Sequence, residues 1–272
     1  MENTTIKLVT GYRIPILGFG TYRLVGRHCK DAVSTALKLG YTHVDTAWIY
    51  ENQLSVSNGI AASGVPREKL FITTKAWYDH LDYANAIEQC NDCLRQLRTD
   101  YIDLYLIHWP NKNIPMKDTF RALGKMVQEK KVRSIGVSNF SIRHLEDAIK
   151  VSPVPIAVNQ VEFHPGLFQK ELLDFCKEHN IVVTAYSPFG QGELFSNTLL
   201  MEIAKKKQKS VSQICLRWLH QHGAVVIPKA TSEEHIKENM DFFSWSLLQS
   251  EVQTIDQLGN ADRIVNPSFG EF

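Results

Sequence analysis

Apolar residues in this chain fall into eight short, near-continuous runs, separated by longer stretches in which they recur every three or four positions. The runs occupy 15–20, 41–45, 70–75, 101–108, 132–138, 157–162, 182–187 and 224–228. Unbroken apolar character over that length predicts parallel strands buried on both faces, because a strand with one wet face would alternate. The stretches between, at 29–40, 51–64, 83–98, 117–131, 141–151, 167–180, 197–222 and 232–243, carry helical spacing. Gly40 and Gly64 stop the first two helices, and Asp31 and Ser141 are suited to start theirs. A hairpin turning at Thr10-Gly11-Tyr12 precedes the first run, and a last short helix over 247–258 precedes an irregular tail.

Eight strand–helix units in succession predict a (β/α)8 TIM barrel with an N-terminal β-hairpin and extra C-terminal helices, a single domain over residues 1–272. The rival is an open doubly wound sheet. That fold joins its first strand and helix by G-x-G-x-x-G, whereas Gly18-Phe19-Gly20 has no third glycine. Gly190-Gln191-Gly192 reads as a loop that needs unusual backbone angles.

The strand ends are polar, and in a closed barrel strand C-termini converge on one rim. Asp45 ends the second run, Lys75 the third and His108 the fourth, with Tyr50 five residues past Asp45. Ser138-Asn139 end the fifth, Gln160 and Glu162 lie in the sixth, Tyr186-Ser187 end the seventh, and Lys229 follows the eighth. Charge belongs at the rim because a barrel centre does not tolerate it.

Asp45, Tyr50, Lys75 and His108 together make a proton-donating set. An ammonium beside a phenol is expected to lower the phenol's pKa from about 10, with Asp45 holding the lysine in place. A neutral histidine donates a hydrogen bond to a carbonyl oxygen that is becoming an alkoxide. No metal-ligand set is present, and no side chain delivers hydride, so this chemistry calls for a nicotinamide.

The 272 residues are 44% hydrophobic and 22% charged, an ordinary globular balance, with a net charge of +1 that gives no general attraction for nucleic acid or anionic membrane. No apolar stretch reaches bilayer-spanning length and the opening residues lack a secretory pattern, so the expectation is a cytoplasmic protein. Near-neutral charge without an obvious apolar patch points to a monomer. Five cysteines are too few for a disulfide scaffold, and Cys90 and Cys93 fall inside a helical pattern rather than at the helix start a redox pair would use.

The chain resembles the aldo-keto reductase family over about residues 6 to 260, through LGFGT (17–21), HVDTAWIY (43–50), TTKAW (73–77), DLYLIHWP (103–110), IGVSNF (135–140), NQVEFHP (159–165), AYSPFGQG (185–192) and VVIPKA (225–230). The resemblance implies reversible carbonyl reduction linked to NAD(P)H, with NADPH as the expected cofactor. It implies that Tyr50 is the general acid, tuned by Lys75 and Asp45, and that His108 orients the carbonyl oxygen. Ser138, Asn139 and Gln160 would hold the nicotinamide carboxamide, and Tyr186 would stack on its ring. Ser187, Gln191 and Gly192 would meet the pyrophosphate, Lys229 the 2′-phosphate, and Glu238 and Asn239 the adenine. Ala230 and His235 depart from the Ser and Arg common in relatives; loss of a permanent, bidentate charge at 235 weakens NADPH preference and makes NADH a possible cofactor.

Tyr22, Trp48, Trp77, His108 and Trp109, with Phe163 as a further candidate, are expected to line the substrate pocket. The loop after His108 and the tail are short, which predicts an open site for small or polar carbonyls: 2-oxoaldehydes, sugar-derived aldehydes or keto acids. That pattern is similar to the prokaryotic, diketogluconate-reductase-like branch. The alternative is a non-catalytic NADP(H)-binding or sensing protein on the same fold. A metal-assisted hydrolase fails on ligand count, since His108 and His164 stand alone.

Overall fold

Thr5–Lys7 (β1) and Arg13–Pro15 (β2) pair antiparallel about the turn at Gly11, whose φ of +89° suits glycine. Leu8 and Ile14 of this hairpin pack with Phe71, Leu104, Leu106, Val158 and Val225 to fill the lower barrel interior. The structure is a computed structural model describing residues 4–259 and 262–270. Residues 1–3, 260–261 and 271–272, and with them the extremes of the 1–272 span, lie outside the described residues.

The eight apolar runs form the strands Phe19–Gly20 (β3), His43–Asp45 (β4), Phe71–Ala76 (β5), Ile102–Ile107 (β6), Val132–Ser138 (β7), Ile156–Glu162 (β8), Val182–Tyr186 (β9) and Val225–Val226 (β10). They pair in parallel in the order β10-β9-β8-β7-β6-β5-β4-β3. A parallel bridge from Leu17 to Val226 closes the cylinder, with Gly18 N–H donating to Val226 O at 2.8 Å. Gly18 has no alternative, since a Cβ there would lie 2.5 Å from the His43 ring.

Helices Gly26–Lys38 (α1), Gln53–Ser63 (α2), Tyr83–Leu97 (α3), Met116–Gln128 (α4), Ile142–Val151 (α5), Lys170–Glu178 (α6), Thr198–Lys207 (α7), Val211–Gln221 (α8), Glu233–Glu238 (α9) and Gln249–Asp256 (α10) surround the strands. Their buried faces and the outward strand residues form the larger core. Ser141 caps α5 with a capping box through His144, as expected. Asp31 does not start α1. That helix begins five residues earlier, after an uncapped Val25, and Asp31 pairs with Arg27 one turn back. The added turn buries Cys29 against the core, which outweighs the missing cap. Cys90 and Cys93 are buried within α3, and burial raises both thiols, Cys93 to about 12.

His43, inside the barrel, is buried with Nε2 3.0 Å from Thr73 Oγ1. Burial pushes its pKa down to about 4 against the pull of Asp45. The unfolded chain's histidine takes a proton near 6.5, so the neutral folded form contributes full stability above that pH. The contribution is lost as pH falls from 6.5 to about 4, at about 1.4 kcal/mol per unit, or roughly 3 kcal/mol in all. Urea titrations across that window should show this loss, and His43→Gln should flatten it. An unchanged pH dependence in the variant would reject His43 as its source.

Candidate active site

Side chains two residues apart on a strand share a face, so the barrel interior collects Phe71, Thr73 and Lys75 from β5, and Leu104, Leu106 and then His108 from β6. The lower members are apolar and packed, while the upper ones reach the rim. There a cavity of about 720 Å³ opens at the strand C-termini, with Asp45, Tyr50, Trp77, His108, Ser138, Asn139, Gln160 and Tyr186 in its wall.

Lys75 lies beneath this wall at 0% exposure. Its Nζ donates to Asp45 Oδ1 at 2.6 Å and to Thr46 O at 2.7 Å. The other carboxylate oxygen, Oδ2, accepts from Gln160 Nε2 at 2.7 Å. A buried pair persists when both partners are hydrogen-bonded in this way. Tyr50 ends a single 3-10 turn, Trp48–Tyr50, which Asn52 bolts to the neighbouring loop by donating to Thr21 O and Leu24 O. The Tyr50 ring centroid is 5.1 Å from Lys75 Nζ, and its hydroxyl has no hydrogen bond among the described residues.

The expectation that Lys75 lowers the Tyr50 pKa needs correction. Burial, then the Asp45 carboxylate, holds the phenol well above its ordinary 10. The Asp45 carboxylate 2.6 Å from the ammonium opposes its pull on the phenol, so burial prevails in the resting site. The phenol is therefore fully protonated at neutral pH, the form a donor requires. Burial likewise lowers Lys75 below its usual 10.5, opposed by Asp45. His108 is held well below 6.5 by burial and then by Lys75, so its imidazole is neutral. Its ring meets Tyr50 edge-on at 5.6 Å and Trp77 at 5.3 Å, and its Nδ1 is buried without a hydrogen-bond partner.

Along the opposite wall Asn139, at φ +62°, donates from Nδ2 to His108 O and to Ser138 Oγ and accepts from the Tyr186 hydroxyl at 2.8 Å. Ser187 is also left-handed, at φ +49°. Two non-glycine residues in that region beside one cavity are the backbone strain that collects at functional sites. Beyond them Gly190, Gln191 and Gly192 are all left-handed, and Lys229 lies exposed at the cavity edge. This series suits a nicotinamide dinucleotide. Ser138, Asn139 and Gln160 bring hydroxyl and amide groups that would suit a carboxamide, Tyr186 brings an aromatic face, and Lys229 a cation that would suit a phosphate. Among the described residues, Asp45 is the sole carboxylate in the wall, and it is already paired. No group of His, Cys, Asp and Glu among the described residues is arranged to hold a metal ion, and no described helix is long and apolar enough to cross a membrane.

Other expected residues fall elsewhere. Tyr22, Trp77, His108 and Trp109 line the cavity, but Trp48 does not; its indole donates to Asp92 at 2.7 Å and its ring faces His80, leaving Ile49 in the wall. Phe163 stacks on Trp218 in the core. His235, Glu238 and Asn239 lie on or just after α9, outside the cavity wall: His235 is exposed, Glu238 accepts from Ser212 Oγ at 3.0 Å, and Asn239 is buried. Sequence reasoning missed Arg23, Phe189, Phe195 and the tail residues Val265, Pro267 and Phe269 as wall residues. The tail folds across the rim, so the cavity is less open than the short tail predicts.

Residues 16–260 match the sequence model of the Aldo/keto reductase family. A glyoxal reductase of Bacillus subtilis (strain 168) is 46% identical over 268 residues, covering 98% of this chain and 96% of the relative. The crystal structure of an aldo-keto reductase from a Medee basin deep-sea metagenome library superposes with a TM-score of 0.92 at 39% identity, covering 96% of this chain and 97% of that one. A Bombyx mori aldo-keto reductase in complex with NADP superposes with a TM-score of 0.92 at 33% identity over 100% of both chains.

Proposed function

The chain belongs to the aldo/keto reductase family of NAD(P)H-dependent oxidoreductases, and on that premise we propose that it reduces small, polar aldehydes and ketones, with Tyr50 as the proton donor. The observation that carries the reading is the buried Lys75–Asp45 pair lying under a protonated phenol whose hydroxyl has no hydrogen bond among the described residues. A bound dihydronicotinamide supplies the hydride. The chain's own groups do the rest. His108, neutral, donates a hydrogen bond to the carbonyl oxygen and fixes it near the phenol. Tyr50 gives its proton to that oxygen as negative charge develops there. The Lys75 ammonium, held in place by Asp45, stabilises the phenolate left behind.

Ser138, Asn139 and Gln160 would hold the carboxamide, with the Tyr186 ring oriented by its hydrogen bond to Asn139. Ser187, Gln191 and Gly192 would meet the pyrophosphate, and Lys229 the 2′-phosphate, with Glu238 and Asn239 toward the adenine. With an exposed His235 in place of an arginine, Lys229 carries most of the 2′-phosphate recognition, so NADH serves as a weaker second cofactor.

The cavity is lined by Tyr22, Trp77, Trp109 and Phe269, with Arg23 at the edge. That size and mixture favour 2-oxoaldehydes, sugar-derived aldehydes and keto acids over steroid-sized ketones. The similarity to a protein named glyoxal reductase supports the small end of that range. A panel of carbonyls assayed with each cofactor tests this. Small 2-oxoaldehydes should drive NADPH oxidation, with NADH slower and bulky ketones slower still. Cofactor binding without oxidation across the panel would favour a non-catalytic role.

A further inference from the structure

The tail has neither helix nor strand of its own over 262–270, yet it takes one defined path across the barrel mouth. One buried carboxylate accounts for this. Glu162, the last residue of β8, is 0% exposed. Its Oε1 accepts from Ile264 N–H at 2.9 Å and lies 3.1 Å from His164 Nε2, while its Oε2 accepts from Val265 N–H at 2.8 Å. Its backbone carbonyl accepts from Gln169 Nε2 at 2.6 Å, and Gln169 in turn accepts from Arg263. Burial opposes the charge, but His164 and the two N–H groups outweigh it and keep this carboxyl below its usual range. Charge-assisted bonds of this kind are about twice as strong as neutral ones, enough to fix a segment that has no ladder. Just upstream, a Cβ at Gly259 would lie 2.6 Å from Phe168, so the chain passes the barrel in close contact.

From this anchor the tail runs into the cavity wall through Val265, Pro267 and Phe269. The Phe269 ring stacks on Tyr78 at 4.3 Å, and meets Trp77 and Trp109 edge-on at 5.7 and 5.6 Å. Trp77 in turn meets His108 at 5.3 Å. Glu162 itself is absent from the wall.

We infer that Glu162 is a positioning residue: by latching residues 264–265 it sets the aromatic wall of the carbonyl cavity, and so the affinity for the carbonyl, without touching the reacting atoms. The inference rests on the cavity being the carbonyl site. Glu162→Gln keeps the shape but turns an amide NH2 toward a backbone N–H. Amide exchange at Ile264 and Val265 should accelerate by about tenfold or more, and KM for a small aldehyde should rise about tenfold, the worth of one lost charge-assisted bond. Neither kcat nor the NADPH Kd should move by more than about twofold, because the reacting groups are untouched. Phe269→Ala should raise KM while leaving both amides protected. The KM effects of the two changes should fall short of additive in the double variant. Unchanged exchange in Glu162→Gln, or faster exchange with an unmoved KM, overturns the inference. If Glu162→Gln does not fold, Phe269→Ala decides it, an unmoved KM overturning it. A parent protein that turns over no carbonyl would instead sink the functional reading, while the exchange rates would still report on the latch.

Discussion

Lys75→Met lowers stability by about 3–5 kcal/mol, because it leaves the buried Asp45 carboxylate with no opposite charge. Taking two charges out of water is costly, and the pair survives because each partner is hydrogen-bonded: the ammonium to Asp45 Oδ1 and Thr46 O, the carboxylate also to Gln160. Removing one charge removes the compensation and keeps the desolvation. Removing both should therefore restore most of the loss, so Asp45→Asn/Lys75→Met should unfold in urea close to the parent. Catalysis should not return with stability. The double variant has no positive charge beneath the phenol to stabilise the phenolate, and turnover should remain down by at least about 10²-fold. Urea midpoints and aldehyde turnover on the parent, the single and the double variants separate the two roles. Equal destabilisation of the single and double variants would show that charge pairing is not what holds this site. Recovery of turnover in the double variant would remove Lys75 from the chemistry.

The chemistry at the strand ends was legible because a polar residue ending an apolar run has one place to go in a closed barrel. Asp45, Lys75 and His108 follow from that rule alone, and the two-residue period of a strand then brings them to one rim. The turn after β4 was not legible at the same grain. A 3-10 turn of three residues sends successive side chains in different directions, so Trp48 and Ile49 could not be told apart as wall residues without the turn itself. The tail was illegible for a different reason. It is held by backbone N–H groups, which every non-proline residue carries, and its partner Glu162 looks in sequence like one more rim residue. The direction of the Tyr50 pKa was misjudged because sequence shows which charges are near but not how much water is excluded. Burial and the Asp45 charge set that balance, and both are properties of the folded site. Asp31 failed as a helix start because side-chain capping is only one of several contributions, and core burial of Cys29 extends α1 past it.

Tyr50→Phe separates binding from chemistry more cleanly than any other change in this protein. The Tyr50 hydroxyl makes no hydrogen bond to the described residues, so its removal should change stability by no more than about 0.5 kcal/mol. The ring that meets Tyr22 at 5.0 Å and His108 at 5.6 Å is kept. What is lost is the phenol hydroxyl at the cavity wall, with an ammonium 5.1 Å from its ring centroid. General acid catalysis of this kind contributes about 10²–10⁴-fold, and His108, whose pKa lies well below 6.5, is a neutral hydrogen-bond donor with no ready proton to substitute. The pH dependence should follow the same logic. Because the phenol is raised above 10, the parent's activity should not fall through loss of the Tyr50 proton anywhere near neutral pH.

The decisive measurement is the rate at which NADPH, saturating on Tyr50→Phe, is oxidised by a small aldehyde, taken beside the parent and beside the NADPH Kd of each. The parent should consume NADPH and form alcohol one for one. The variant should bind NADPH as the parent does and turn over about 10²–10⁴-fold more slowly. A variant with unimpaired binding and turnover within tenfold of the parent would contradict the account, because the proton would then come from somewhere other than Tyr50.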